Sequence, residues 1–167
     1  DLTHKRFADF GVEPEICEAL DAKGITHPFP IQALTLPVAL EGQDIIGQAK
    51  TGTGKTLGFG IPLLMDTLGP GEEGWDEDPA SGSPQALVIL PTRELAKQVA
   101  EELSTAAAKR TVRIVQVYGG RAYEPQIEDL ERGAEVVVGT PGRLIDLMDR
   151  GVLDLAHVTT VVLDEAD

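Results

Sequence analysis

The chain has 167 residues, of which 42% are hydrophobic, and carries a formal net charge of −14 at pH 7. This length suits one folded domain with a substantial core but not two, and the hydrophobic content argues against a disordered chain. The strong negative charge argues against a general nucleic-acid-binding protein, which normally presents a basic surface, so any such contact must be local. No apolar run approaches the roughly 18 residues of a membrane span.

The single cysteine and the start of the chain bear on the cellular compartment of the protein. Cys17 is the only cysteine in the sequence, so an internal disulfide is excluded, and its apolar neighbours favour a buried structural thiol over a reactive one. The chain begins at Asp1 with no visible signal peptide, and we expect a trimmed start because no methionine precedes it. Together these features predict a reducing, cytoplasmic location.

Five short β-rich runs recur along the chain, and most of them are continuously apolar rather than alternating. Such runs are typical of strands in a parallel sheet that is covered by helices on both faces. The predicted strands are residues 44–47, 86–90, 112–117, 135–139 and 160–164.

Helical patterns fall between these strands. Leu95, Val99 and Leu103 form one apolar stripe at helical spacing. A second helix is predicted to begin at Thr140-Pro141, because Thr is a common N-cap and Pro fits the first turn. The stripe of this second helix consists of Leu144, Ile145, Leu147 and Met148. The alternation of strands and helices predicts a doubly wound α/β domain.

One segment interrupts this alternation. Residues 70–85 are rich in Gly, Pro and acidic residues, and we interpret them as a flexible acidic surface loop. Trp75 within the segment is interpreted as an exposed aromatic side chain, with a contact to a partner as the alternative.

A glycine-rich loop occupies residues 49–56, between the first predicted strand and an apolar helix predicted over residues 57–68. Gly52 and Gly54 allow backbone N–H groups to converge on phosphate oxygens. Lys55 can reach the β and γ phosphates, and the Thr56 hydroxyl can hold magnesium. The first position is alanine rather than the usual glycine, but the strand–loop–helix context favours phosphate binding.

An acidic pair follows the last predicted strand. Asp164 comes directly after an apolar run, at the carboxyl end of a strand, where ligands bind in open α/β sheets. Such a carboxylate can hold magnesium, and Glu165 beside it can orient or deprotonate an attacking water. Two acids after an apolar run can also be a strand end that faces solvent, but the phosphate loop in the same chain favours catalysis.

Further short segments stand before the glycine-rich loop and between it and the acidic pair. Residues 24–32 read Gly-Ile-Thr-His-Pro-Phe-Pro-Ile-Gln, with Phe7 upstream, and residues 91–96 read Pro-Thr-Arg-Glu-Leu-Ala. A Gly-Gly pair, which by itself predicts a turn, and a Thr-Pro-Gly-Arg segment follow. Together they resemble the N-terminal RecA-like domain of the DEAD-box ATP-dependent RNA helicases over nearly the whole chain. The matching motifs are the Q motif (24–32), motif I (49–56), motif Ia (91–96), the GG motif (119–120), motif Ib (140–143) and motif II (164–167).

The resemblance implies an ATP and Mg²⁺ site. Gln32 would read adenine through its amide, and Phe7 would stack on the base. Thr56 and Asp164 would hold Mg²⁺, and Glu165 would act as the general base. Lys55 is implied to be catalytic together with Asp164 and Glu165, and the phosphates would be bound by Thr51, Gly52, Thr53, Gly54, Lys55 and Thr56.

The resemblance also implies an RNA site that contacts the phosphodiester backbone without reading sequence. The matching residues are Thr92, Arg93, Gly119, Gly120, Thr140, Gly142 and Arg143. Arg93 and Arg143 could instead be structural ion-pair partners in so acidic a chain. The three histidines, His4, His27 and His157, show no metal-ligand spacing, so no zinc site is predicted.

The expected protein is therefore the ATP-binding half of an ATP-dependent RNA helicase. We expect residues 1–167 to form one RecA-like domain, with residues 1–32 as its Q-motif region. The family's second RecA-like domain, which closes over ATP and RNA, is expected to be absent from this sequence, so that the chain alone would hydrolyse ATP very poorly. The alternatives are an ATP-gated RNA clamp or assembly platform without productive unwinding, and a DNA-directed helicase or general P-loop ATPase.

Overall fold

The computed structural model describes Arg6, residues 44–46 and residues 53–163. Within these ranges strands and helices alternate along the chain. The elements are β1 (Asp44–Ile46), α1 (Thr53–Met65), β2 (Ala86–Ile89), α2 (Arg93–Ala106), β3 (Ile114–Val117), α3 (Tyr123–Arg132), β4 (Val136–Gly139), α4 (Pro141–Asp149) and β5 (Thr160–Leu163). The five predicted strands are confirmed, each at most two residues shorter than its predicted run. No helix in the described ranges is long and apolar enough to span a membrane.

The helices agree less completely with the sequence patterns. The predicted helices around residues 95–103 and 141–148 are confirmed as α2 and α4. The helix predicted over residues 57–68 begins at Thr53 and ends at Met65, so the prediction placed it about four residues too late. The helix α3 was not predicted at all, although Tyr123, Ile127 and Leu130 pack against the core at helical spacing.

The five strands form one parallel sheet with the order β1-β5-β2-β4-β3. In this order β5, the last strand in sequence, lies between β1 and β2. Because all strands run the same way, their carboxyl ends share one edge of the sheet. This edge, called here the carboxyl edge, receives the chain segments that follow every strand.

Successive side chains of β2 to β5 point to opposite faces of the sheet, where they form two separate apolar cores. On one face, Val88 and Val138 pack with Leu63 of α1 and Leu103 of α2. On the other face, residues of α4 and α3 cover the intervening positions of the same strands, and the strand and helix side chains there include Leu87, Val137, Leu144 and Leu147. The predicted α/β, RecA-like architecture, a parallel sheet with helices on both faces, is confirmed.

The acidic segment between α1 and β2 folds as consecutive turns. Backbone hydrogen bonds join Trp75 to Glu72, Asp78 to Trp75 and Ser81 to Asp78. Trp75 is half-buried rather than exposed, which corrects the interpretation of its side chain. Gln85, the last residue of the predicted loop, is buried at the start of β2. The flexibility of the segment stays a prediction.

Arg110 ties the acidic segment to the end of α1. Its Nε and Nη2 donate to the two carboxylate oxygens of Glu72, at 2.8 and 2.6 Å. The same guanidinium donates to the carbonyl oxygens of Leu64 and Thr67, beside the last turn of α1. The carboxylate of Glu72 also accepts the backbone N–H of Gly69 at 2.6 Å. One charged pair therefore stabilises the carboxyl end of α1, the helix that begins within the glycine-rich loop.

The ion pair of Glu72 and Arg110 makes the stability of the fold depend on pH. The hydrogen bonds from Arg110 and from the Gly69 backbone lower the pKa of Glu72 from its ordinary value of 4.5 to about 2. The stabilisation is therefore complete above the unfolded pKa and is lost as pH falls towards the folded one. We expect Glu72→Gln to lower the free energy of unfolding by about 1–2 kcal/mol at neutral pH.

The measurement is urea unfolding of wild type and Glu72→Gln over a range of pH. The difference between them should shrink as pH falls below about 5. The exposed neighbour Glu73 gives the matched control, because Glu73→Gln should change stability little at any pH. A difference for Glu72→Gln that does not change with pH would contradict the assignment.

Candidate functional site

The chain segments that carry the predicted nucleotide site leave the sheet from neighbouring strands. β1 and β5 are adjacent and parallel, with Ile46 opposite Val162. The glycine-rich loop follows β1, and Asp164 directly follows Leu163, the last residue of β5. The carboxyl ends of β1 and β5 therefore lie side by side at the carboxyl edge, where ligands bind in open α/β sheets.

The helix α1 begins inside the glycine-rich loop. Thr53 is its first residue, so Gly54, Lys55 and Thr56 fall in its first turn, which contains no acidic residue. A helix amino terminus presents free N–H groups and positive partial charge, which suit a phosphate. Thr56 is fully buried. The predicted site residues that lie outside the described ranges are Phe7, Gln32, Thr51, Gly52, Asp164 and Glu165.

Thr92 and Arg93 lie where β2 passes into α2, two strands away from β1. Thr92 is the N-cap, and its hydroxyl accepts the backbone N–H of Leu95 at 3.2 Å. Arg93 keeps 48% of its side chain exposed, and its contact with Glu94 is long, at 3.9 Å between exposed groups. An exposed pair of that length contributes little. The guanidinium of Arg93 is therefore available to a ligand at the carboxyl edge.

The Gly119–Gly120 pair forms a turn after β3. Both residues are exposed, and Gly120 has a φ of +80°, which L side chains rarely adopt. A Cβ at residue 120 would lie 3.2 Å from Nη1 of Arg93, so this turn and the start of α2 are neighbours. The predicted turn is confirmed, and its glycines leave the backbone open to a ligand.

Thr140 is the N-cap of α4 and Pro141 is its first residue, as predicted. The Thr140 hydroxyl makes no capping hydrogen bond to the helix, in contrast to Thr92. Gly142 is exposed, and a Cβ placed there would meet nothing within 4 Å. The amino terminus of α4 therefore offers N–H groups and a hydroxyl at the carboxyl edge.

Arg143 is held against α3. Its Nη1 donates to the side-chain carbonyl of Gln126 at 3.0 Å, and its Nη2 donates to the backbone carbonyl of Arg121 at 3.0 Å. Its guanidinium carbon lies 3.8 Å from the centroid of the Tyr123 ring. These hydrogen bonds go to neutral carbonyl oxygens, so they differ from the ion pairs considered as an alternative for this residue.

Three arginines gather at this part of the carboxyl edge. Arg93 and Arg121 flank the Tyr118 ring, with guanidinium carbons 6.0 and 5.6 Å from its centroid. Arg143 donates a hydrogen bond to the backbone carbonyl of Arg121, the residue after the Gly119–Gly120 turn. This arrangement forms a local basic patch on a chain with a net charge of −14.

Several residues of this region were missed by the sequence patterns. Gln126 and Tyr123 lie on α3, the helix that was not predicted, and Arg121 follows the GG motif without belonging to it. The helical spacing of Tyr123, Ile127 and Leu130 was the available signal. Within the described ranges, no group of three or more His, Cys, Asp or Glu side chains is placed to hold a metal ion.

Comparison with known proteins places these features in a family. The family described as DEAD/DEAH box helicase matches residues 29–167. The DEAD-box ATP-dependent RNA helicase CshA of Geobacillus kaustophilus is 47% identical over 96% of this chain and 32% of its own length. The ATP-dependent RNA helicase DeaD of Escherichia coli is 46% identical over 96% of this chain and 24% of its own length. The chain thus spans about a third or less of these relatives.

Solved structures of DEAD box proteins are also similar to this chain. A DEAD box protein from Methanococcus jannaschii is 37% identical with a TM-score of 0.61, over 97% of this chain and 42% of that chain. The Saccharomyces cerevisiae protein Dbp5, in a structure bound to RNA and ADP BeF3, is 31% identical with a TM-score of 0.56, over 96% of this chain and 38% of that chain. With its motifs, topology and relatives in agreement, the chain belongs to the DEAD/DEAH box helicase family.

Proposed function

We propose that this chain is the ATP-binding half of an ATP-dependent RNA helicase, which couples ATP binding and hydrolysis to RNA binding and local duplex unwinding. The observation that carries the proposal is the adjacency of β1 and β5. This adjacency would bring the glycine-rich loop and the Asp164-Glu165 pair together, and the GG turn, α2 and α4 follow the three other strands at the same edge. A nucleotide and an RNA strand would thus bind side by side.

On the nucleotide side, each proposed role follows from residue chemistry. The first turn of α1 and Lys55 would hold the ATP phosphates, because the helix terminus and the ammonium both neutralise phosphate charge. Thr56 and Asp164 would supply the oxygen ligands that Mg²⁺ prefers, and a bound Mg²⁺ would neutralise charge between the β and γ phosphates. Glu165 would orient and deprotonate the attacking water. Phe7, Gln32 and the backbone of residues 51–54 would complete the adenine and phosphate contacts.

On the RNA side, the amino termini of α2 and α4 and the Gly119–Gly120 turn present backbone N–H groups. Such groups suit phosphate oxygens and carry no base information, so binding would be independent of sequence. Arg93 adds positive charge, and its ion pair with Glu94 within the described part of the chain is long and exposed. Thr92, Thr140, Gly142 and Arg143 complete the proposed RNA-contacting set. The local basic patch explains how an acidic chain could still hold RNA.

The partners proposed for the chain are RNA and a second RecA-like domain of the same protein. Relatives that are about three to four times as long as the matched segment are named ATP-dependent RNA helicases. A second domain would contribute charge to the γ phosphate and close over ATP and RNA, so the 167-residue chain alone would hydrolyse ATP poorly. A cytoplasmic location is part of this proposal.

The proposal is tested by ATP hydrolysis of the full-length protein with RNA or with DNA of the same sequence. We expect RNA to stimulate hydrolysis by at least about tenfold over DNA, because the 2′-hydroxyl groups distinguish the two strands. Equal stimulation by both would overturn the RNA assignment and favour a DNA-directed helicase or general ATPase.

The runner-up function is an ATP-gated RNA clamp or assembly platform without productive unwinding. The same fold and site would serve both functions. Parallel assays of strand separation and of ATP-dependent RNA retention distinguish them, since a clamp would retain RNA with ATP but release no strand from a short duplex.

A further inference from the structure

The Gly119–Gly120 turn is bracketed by two hydrogen bonds that come from other elements. The carbonyl of Tyr118, before the turn, accepts the side-chain amide N–H of Gln126 at 3.1 Å. The carbonyl of Arg121, after the turn, accepts Nη2 of Arg143 at 3.0 Å. The two bracketing side chains are themselves joined, because Nη1 of Arg143 donates to Oε1 of Gln126 at 3.0 Å.

Gln126 is the centre of this bracket. Its side chain is 6% exposed, on the inner side of α3. Its amide orientation is fixed by its partners, since a backbone carbonyl can only accept and a guanidinium can only donate. A side chain with both a donor and an acceptor is therefore needed at this point, and neither a carboxylate nor an apolar residue supplies both.

Arg143 is positioned from a second direction as well. Its guanidinium lies against the Tyr123 ring at 3.8 Å, and the Tyr123 hydroxyl donates to Asp146, one turn further along α4. Arg143 belongs to the amino-terminal turn of α4, next to Thr140 and Gly142. The bracket thus runs from the start of α4, through Gln126, to both ends of the turn.

We propose that Gln126 is a positioning residue for RNA, which locks the Gly119–Gly120 turn and the start of α4 into one rigid backbone-binding unit. The inference rests on the proposed RNA-binding function. Two consecutive glycines lack side chains that could fix their conformation, and Gly120 has a left-handed φ of +80°. Fixing such a turn before RNA arrives lowers the entropy lost on binding. Gln126 itself acts through the turn and through Arg143.

The test compares two buried glutamines in the full-length protein. Gln85 is also 6% exposed, and its amide also makes two hydrogen bonds, donating to the carbonyl of Leu68 and accepting its N–H. It precedes β2 and so lies at the opposite edge of the sheet. Gln126→Met and Gln85→Met therefore remove the same chemistry from buried sites of equal exposure.

The readouts are RNA affinity, nucleotide affinity and thermal unfolding. RNA affinity is measured by fluorescence anisotropy of a labelled single-stranded RNA with a non-hydrolysable ATP analogue, well below the melting temperature. We expect Gln126→Met to weaken RNA binding about tenfold, the equivalent of the lost hydrogen bonds, with nucleotide affinity in the absence of RNA unchanged within about twofold. Gln85→Met should lower the melting temperature similarly but leave RNA affinity within about twofold of wild type.

A double variant tests whether Gln126 acts through the turn. Gly120→Ala strains the turn directly, because its φ is +80°. If Gln126 works by ordering the turn, Gln126→Met should weaken RNA binding much less in the Gly120→Ala background than in wild type. Fully additive losses would overturn the inference.

Two other outcomes separate this inference from the proposed function. If wild type binds RNA but Gln126→Met binds it equally well, or if both Met variants weaken it equally, Gln126 is not a positioning residue and the proposed function stands. If wild type itself shows no ATP-dependent RNA binding, the proposed function fails, and the inference fails with it. Gln126→Glu provides a second variant of nearly the same size, and it should also weaken RNA binding because it cannot donate to Tyr118 at neutral pH.

Discussion

Replacing Arg113 with alanine is expected to destabilise the protein by about 3 kcal/mol, because a buried carboxylate loses its charged partner. Glu135 is completely buried at the start of β4. Its carboxylate accepts Nη2 of Arg113 at 2.6 Å, Nε at 3.1 Å and the backbone N–H of Arg113 at 2.8 Å. Arg113 also donates to the carbonyl of Arg132 at 2.9 Å. The alanine variant would keep only the backbone hydrogen bond for a fully buried charge.

Urea unfolding at neutral pH measures the effect. Arg132→Ala provides the matched control, since Arg132 is 72% exposed and its pairs with Glu128 and Asp129 are on the surface. That variant should change the free energy of unfolding by less than about 0.5 kcal/mol. Equal stability losses in the two variants would contradict the role of Arg113.

A double variant distinguishes two causes of destabilisation, the unpaired charge of Glu135 and the lost packing of the Arg113 side chain. Arg113→Met with Glu135→Leu removes both charges and fills the space with apolar groups. Such replacements of buried pairs are often neutral or stabilising, so the double variant should recover most of the loss. The pair lies where β3 and β4 begin, and these strands end at the GG turn and at Thr140.

The sheet was predictable because its strands are continuous apolar runs that need burial on both faces. The helix α3 was missed because it is only ten residues long and contains Pro125 and few apolar side chains. The start of α1 was placed too late since Gly54 and its neighbours have low helix propensity. In the fold, the helix nevertheless begins within the loop, at Thr53, and its amino terminus is the proposed phosphate-binding position.

Two local structures of the candidate site, a helix start and a turn, were predictable from sequence. The start of α4 is indicated by the residue types of Thr140-Pro141, and the turn after β3 is indicated by Gly119-Gly120. The bracket around the turn was not predictable, because Gln126 and Arg143 belong to different helices and Gln126 stands in no recognised motif. The same holds for the buried pair of Arg113 and Glu135, which are joined only by the pairing of β3 with β4.

The proposed function depends on an adenine-nucleotide site built on the start of α1. Replacing Lys55 with alanine is expected to weaken the binding of Mg²⁺ and a fluorescent ADP analogue by roughly 10- to 100-fold, because a charge-assisted contact to phosphate is lost. Lys109→Ala, an exposed lysine after α2, is the matched control and should bind as wild type does. Circular dichroism confirms that each variant is folded.

The decisive experiment is the same titration made with wild type, Lys55→Ala and Gln32→Ala, with unlabelled GDP as competitor. Both substitutions are expected to weaken binding of the ADP analogue, and GDP is expected to compete poorly. Gln32→Ala should also lose preference for ADP over GDP, because the amide that reads adenine is gone. Binding that is unchanged in a folded Lys55→Ala variant, or equal competition by ADP and GDP in wild type, would contradict the adenine-nucleotide site at the start of α1.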